Sequence, residues 1–274
     1  MTSISMRHEF RLQTTPLSMQ ASANQLSQWF ETPLGKHLLA QELAYFDAEV
    51  SDIFGYNALQ FGLPQIDFLR ANRVALRACV GNEPGVRVRS DHCELPLATA
   101  ELDLVVLPHL LEFSHNPHQI LREVQRVLRP EGHVILSGFN PWSLWGLARL
   151  IGARSGEYPW SGQFISLPRI KDWLALLGLD VVGGRMTAYT PPWGGEKWLR
   201  RLSFMEKAGQ RWWPIAGGVY FLHGIKRVSG VRLITPKWKR APARKALAPV
   251  PQRVVEERTH ARRWDCARTS VDDR

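Results

Sequence analysis

The residues from Asp91 to Gly138 constrain the fold more than any other stretch: DHCELPLATAELDLVVLPHLLEFSHNPHQILREVQRVLRPEGHVILSG. A polar turn leads into the fully apolar run Leu104-Val105-Val106-Leu107. A segment with apolar residues at helical spacing follows (Ile120, Leu121, Val124, Val127, Leu128). Pro130-Glu131-Gly132 breaks it, and Val134-Ile135-Leu136 is a second apolar run. A strand apolar throughout is one covered on both faces, so strand, helix and strand read as a β-α-β unit of a parallel sheet. Such sheets take their ligands at the carboxyl ends of the strands.

The elements around this unit extend the sheet. Thr32 can cap a helix whose first residue is Pro33, and Leu39, Leu43, Phe46, Val50 and Ile53 then recur at helical spacing. Tyr56 to Phe61 is a short apolar strand followed by the turn Gly62-Leu63-Pro64. Arg73 to Val80 and Val86 to Arg89 are two further strands. In the β-α-β unit, Asn116, Pro117 and Gln119 have the spacing of a capped helix start. Downstream, Phe139 to Leu147 is a loop entering a short helix. Ser166-Leu167-Pro168 opens another, which Gly178 ends. Leu179 to Val182 is read as a strand, Gly183-Gly184 as a tight turn into Met186 to Tyr189, and Val219 to Ile225 as the last strand.

Charge divides the chain. The formal net charge is +10, yet fourteen basic and five acidic residues lie from Lys226 onward, so the preceding body is close to neutral. The tail composition cannot build a core and is expected to be disordered. The expected organisation is an N-terminal segment over 1–31, partly disordered, a domain over 32–228 with a Trp-rich insertion at 190–217, and a basic tail over 229–274. Three cysteines, Cys79, Cys93 and Cys266, form no paired framework, which fits a reducing cytoplasm. No run of about 18 apolar residues is present, so a membrane-spanning helix is not expected.

The order of elements and the motifs resemble the class I S-adenosylmethionine-dependent methyltransferases, in particular the type 11 group. The resemblance rests on Asp91 with Glu94-Leu95-Pro96-Leu97, on Leu102-Asp103-Leu104-Val105-Val106 and on His109-Leu110-Leu111-Glu112. The run Arg122 to Gly132 continues it. It implies a Rossmann-like α/β fold: a seven-stranded, mostly parallel sheet with an antiparallel last strand and helices on both faces. It also implies S-adenosylmethionine as cofactor, against Gln60, Gly62, Asp91, His92 and Leu107. The glycine-rich cofactor loop of the family is degenerate here. Gln60 stands where a carboxylate is usual, and only Gly62 remains of the glycines, followed by Leu63 and Pro64.

His109, at the end of the fourth strand, is a candidate general base, with packing against the methionine moiety as the plainer role. His92, Cys93, His109, His115 and His118 match no zinc spacing, so no metal is expected. Eight of the 11 Trp residues lie between 142 and 213; Trp173 is expected on a helix face in the core, and the others lie where the family places its substrate cover. They suit an apolar or planar acceptor, a small second core, or a surface that meets a membrane or partner. The expectation is methyl transfer to a small molecule. The alternatives are a fold that has lost its cofactor and binds or scaffolds, and an RNA methyltransferase helped by the basic tail.

Overall fold

The computed structural model describes residues 25–81, 86–151, 159–192, 196–202 and 204–228, and what was expected of the N-terminal segment up to 24 and of the 229–274 tail lies outside these. Helix α1 (25–30) leads into α2 (Pro33–Ser51), whose first turn is capped by Thr32: its Oγ1 accepts the Gly35 N–H at 3.1 Å. Gly35 is required there, because a Cβ would stand 2.2 Å from the Trp29 carbonyl oxygen. Leu26, Trp29 and Phe30 are buried, so α1 belongs to the core of the domain.

Seven strands follow: β1 (Asn57–Phe61), β2 (Leu76–Gly81), β3 (Val88–Arg89), β4 (Leu102–Pro108), β5 (Leu128–Phe139), β6 (Leu179–Thr187) and β7 (Val219–Lys226). Their order is β3-β2-β1-β4-β5-β7-β6. Strands β1 to β5 pair in parallel, and β7 runs antiparallel to both β5 and β6. This is the seven-stranded, mostly parallel sheet that the resemblance implied. A 3-10 turn (Leu111–Phe113) and α3 (Pro117–Val127) join β4 to β5; α4 (Leu144–Leu150) and α5 (Leu167–Leu176) join β5 to β6; α6 (Glu196–Arg201) and α7 (Phe204–Trp212) precede β7.

Strand alternation sorts the core into two layers. Ala58, Leu104, Val106 and Ile135 face α1 and α2, while Leu59, Phe61, Val105, Leu107, Val134 and Leu136 face α3 and α5. Asp103 fixes the amino end of β1 to β4: its carboxylate accepts the Tyr56 and Asn57 N–H groups at 2.7 and 3.0 Å and pairs with Arg129 at 3.0 Å. Burial opposes the charge on Asp103, but these donors hold its carboxyl below the ordinary value.

Two local expectations are corrected. Gly183-Gly184 makes no hairpin turn: β6 runs through it as one strand with a register shift between Val181 and Gly183, because both halves pair with β7. The Asn116 side chain makes no capping bond to α3, whose start relies on Pro117. Lys226 also ties the sheet to α3. It closes β7, is buried, and donates to the Gln125 and Leu128 carbonyls at 2.6 and 2.9 Å at the end of α3.

Candidate cofactor and acceptor site

The strand order reverses between β1 and β4, and ligands of open parallel sheets sit outside the carboxyl ends at such a point. The connection from β1 to β2 is short and carries no helix; residues 62–75 are turns. Gly62 and Leu63 both have left-handed φ, 69° and 50°. Glycine adopts this freely, whereas Leu63 does so under strain.

Gln60 holds this connection. Its buried Nε2 donates among the carbonyls of Gly62, Leu63 and Ile66 at 3.0, 3.1 and 2.8 Å, and its Oε1 accepts the Phe68 N–H at 2.9 Å. A carboxylate could not donate to those carbonyls, which explains an amide where the family has an acid. It also leaves Gln60 no free atom for a ligand. Leu63 packs in the α2-side core, and the opposite side of Gly62 is open: among the described residues, an added Cβ there would meet only Leu110 Cδ1, at 3.6 Å.

Gly62 and His92 converge on one atom. The Val80 carbonyl accepts the Gly62 N–H at 2.9 Å and lies 3.3 Å from His92 Nε2. The His92 ring is buried and tilted against Phe61, with centroids 5.6 Å apart. Burial lowers its pKa, more than the Val80 carbonyl and Asp91 restore. A neutral ring donating from Nε2 leaves Nδ1 as an acceptor, and among the described residues this buried atom has no hydrogen-bond partner. Asp91 is exposed, and its Oδ1 accepts the Cys93 N–H at 3.0 Å. The segment is anchored from α3. Arg126 donates to the Leu97 and Leu95 carbonyls at 2.8 and 3.2 Å, and Glu123 accepts the Leu95 N–H at 3.2 Å. Leu107 is wholly buried in the α3-side core.

His109 occupies a different setting. Its φ is 47°, its N–H donates to Ser137 Oγ at 3.2 Å, and its ring lies against Phe139 at 4.3 Å. Nε2 is 2.6 Å from Glu42 Oε1 and Nδ1 is 3.1 Å from Glu112 Oε2, and all three side chains are sealed from solvent. Glu112 accepts the Phe139 N–H through its other oxygen. Burial works to lower the His109 pKa, but the charges of Glu42 and then Glu112, with their hydrogen bonds, push it up to about 10. An imidazolium with both N–H groups engaged has no lone pair with which to take a proton, so the geometry gives a base role no support. The sequence reading missed Glu42 because a glutamate in a helix reads as solvated. The signal was its place four residues after Leu38 and four before Phe46, on the buried stripe.

A cavity of about 380 Å³ opens beyond the ends of β4 and β5, between the start of α3 (His118), the turn after β5 (Pro141, Trp142) and α5 (Arg169, Trp173). His118 and Arg169 lie against the Trp173 ring, at 3.8 and 5.1 Å from its centroid. A larger groove of about 710 Å³ runs along β6 between α5 and α7, away from the switch point. Among the described residues no group of three or more metal-binding side chains converges.

With this geometry in place, the known proteins fall into line. Residues 65–136 match the family model described as methyltransferase domain, type 11. The domain has the class I methyltransferase fold, and its residues 65–136 are similar to the type 11 group. The match spans the loop after β1 through most of β5; it includes the Asp91-His92 segment, His109 and Glu112, and leaves out Glu42, Gln60 and Gly62. A relative of Escherichia coli (strain K12), the uncharacterized protein YafS, is 31% identical over 167 residues, 61% of this chain and 62% of that protein. The chain thus spans less than two thirds of the relative it matches. Two solved structures share the fold. One is a chain of the complex between the Haloferax volcanii Trm112 methyltransferase activator and a methyltransferase (TM-score 0.55, 14% identity, 76% of this chain and 98% of that one). The other is an SAM-dependent methyltransferase of Thermotoga maritima (TM-score 0.54, 16% identity, 78% of this chain and 100% of that one).

Proposed function

We propose that this chain transfers a methyl group from S-adenosylmethionine to a small-molecule acceptor. The observation that carries the reading is the pairing of Gly62 with His92 at the Val80 carbonyl. It sets an open glycine beside a buried acceptor, without a partner among the described residues, at the switch point of a sheet of the class I methyltransferase fold. The residues present fit the nucleoside end of the cofactor. His92 Nδ1 would accept from the adenine amine, Asp91 lies beside it, and the backbone at Gly62 permits close approach. Gln60 acts behind them as a positioning residue, and Leu107 as the floor.

The cofactor, when bound, supplies an electrophilic methyl on a sulfonium. The chain's contribution is alignment and exclusion of water, because displacement at carbon is largely a matter of positioning. The cavity bounded by Trp142, Trp173, His118 and Arg169 is the acceptor site in this reading; its aromatic walls and one cation suit a planar or amphiphilic molecule. His109 is a positioning residue. It draws α2, the turn after β4 and the end of β5 together through Glu42 and Glu112.

One observation favours a second reading, in which the fold binds or scaffolds without catalysis. The connection after β1 lacks a helix and a glycine-rich turn, and Gln60 is fully used within it. Titrating S-adenosylhomocysteine into the full chain separates the two. Saturable binding, weakened about tenfold or more by Asp91→Ala, supports the enzyme; a folded protein with no heat of binding leaves the scaffold.

A further inference from the structure

Large exposed apolar side chains are unevenly distributed over this domain. Of the sixteen among the described residues, ten lie in two segments, 142–151 and 198–215. Scattered single residues of this kind are ordinary, but a concentration marks a surface that meets something.

Hydrogen bonds bring the two segments to one rim. Asn140 Nδ2 donates to the Ile215 and Gly217 carbonyls at 2.8 and 3.0 Å, and its Oδ1 accepts the Trp142 N–H at 3.0 Å. Trp142 (76% exposed), Trp212, Trp213 and Ile215 therefore edge the same corner, beside the cavity that Trp142 helps to line. From there α4 continues an outward stripe of Leu144, Leu147 and Ile151, while its Trp145 and Ala148 point inward. Helix α7 carries the complementary charge. Its exposed residues are Phe204, Lys207, Gln210, Arg211 and Trp212, and its one acid, Glu206, is half-buried and accepts the Tyr189 N–H at 3.0 Å. Arg201, in α6, stacks over the exposed Trp198 at 5.9 Å.

We propose that this rim seats the protein on an anionic lipid surface. Tryptophan is the side chain best suited to the headgroup boundary, with an apolar ring and a polar N–H. Lysine and arginine beside it bind anionic headgroups while their stems join the apolar layer. Engaging the single acid of α7 with the Tyr189 N–H weakens the charge that would oppose such a surface. A second copy of this chain would bring the same cations face to face, so the charge pattern favours lipid over self-association. The proposal is independent of cofactor binding.

The test is co-sedimentation of the full chain with sucrose-loaded vesicles of phosphatidylglycerol and phosphatidylethanolamine, beside vesicles of phosphatidylcholine alone, without cofactor. The expected result is binding to the anionic vesicles that weakens with salt. It should fall roughly tenfold or more in a Trp212→Ala/Trp213→Ala variant and in a Lys207→Glu/Arg211→Glu variant. Both variants keep the basic tail and change only exposed side chains, so their melting curves should match the parent. Brominated lipids should quench parent fluorescence and quench the Trp variant less. Equal binding by parent and variants would assign the contact to the tail and overturn the proposal. So would no binding at all, or a parent dimer that the Trp variant dissolves while neither form sediments with lipid.

Discussion

Two strand ends of this sheet each bury a histidine, and they treat it in opposite ways. Beyond β4, His109 is clamped between Glu42 and Glu112, both ring nitrogens are engaged, and its pKa is pushed up to about 10. At the β1–β3 end, His92 touches one carbonyl, keeps an Nδ1 with no partner among the described residues, and is pushed down by burial. Burial alone therefore does not mark a functional histidine. A saturated one is tied into the scaffold, and an unsatisfied one in an otherwise well-paired neighbourhood is where a ligand has something to offer.

The sharpest way to break this contrast is to remove the clamp. His109→Ala leaves two carboxylates facing each other in the core, which should destabilise the domain by about 3–5 kcal/mol in chemical unfolding. A loss under about 1 kcal/mol would show that the clamp carries little. On the β1 side, Gln60→Glu removes the donor from three carbonyls and buries a charge among them. A loss of about 2–3 kcal/mol is expected, and a parent-like unfolding midpoint would refute the bracing role.

Much of this was legible in the sequence, for physical reasons. The fully apolar β4 and the strongly amphipathic α3 announced the β-α-β unit, because both faces of one and one stripe of the other must be covered. Thr32-Pro33 and Gly178 marked their helix ends, the latter with the left-handed φ of 70° that the stop requires. Other features needed three dimensions. Glu42 lies 67 residues before His109, and no local pattern reports a pair that distant. Gly183-Gly184 has the composition of a turn, and only the pairing of both its flanks with β7 makes it strand. Of the candidate site residues, Gly62 and His92 come together and Asp91 adjoins them. Gln60 belongs to the brace and His109 to the clamp.

pH sharpens the comparison further. The folded pKa of His109 is raised above its unfolded value of about 6.5, so its contribution is complete below that pH and is lost as pH rises towards about 10. Unfolding free energy should decline over that window in the parent, and the decline should be shallower in His109→Gln. Parallel profiles would mean that the ring is not held as an imidazolium.

The smallest effect on stability and the most direct test of the account coincide in His92→Phe, which keeps a planar ring and removes the Nδ1 acceptor together with the Nε2 bond to the Val80 carbonyl. Its unfolding free energy should change by no more than about 1 kcal/mol. Calorimetric titration of S-adenosylhomocysteine should nevertheless show affinity at least about tenfold weaker than the parent's. A folded His92→Phe protein that binds as tightly as the parent would contradict the assignment of the β1–β3 end as the ligand end.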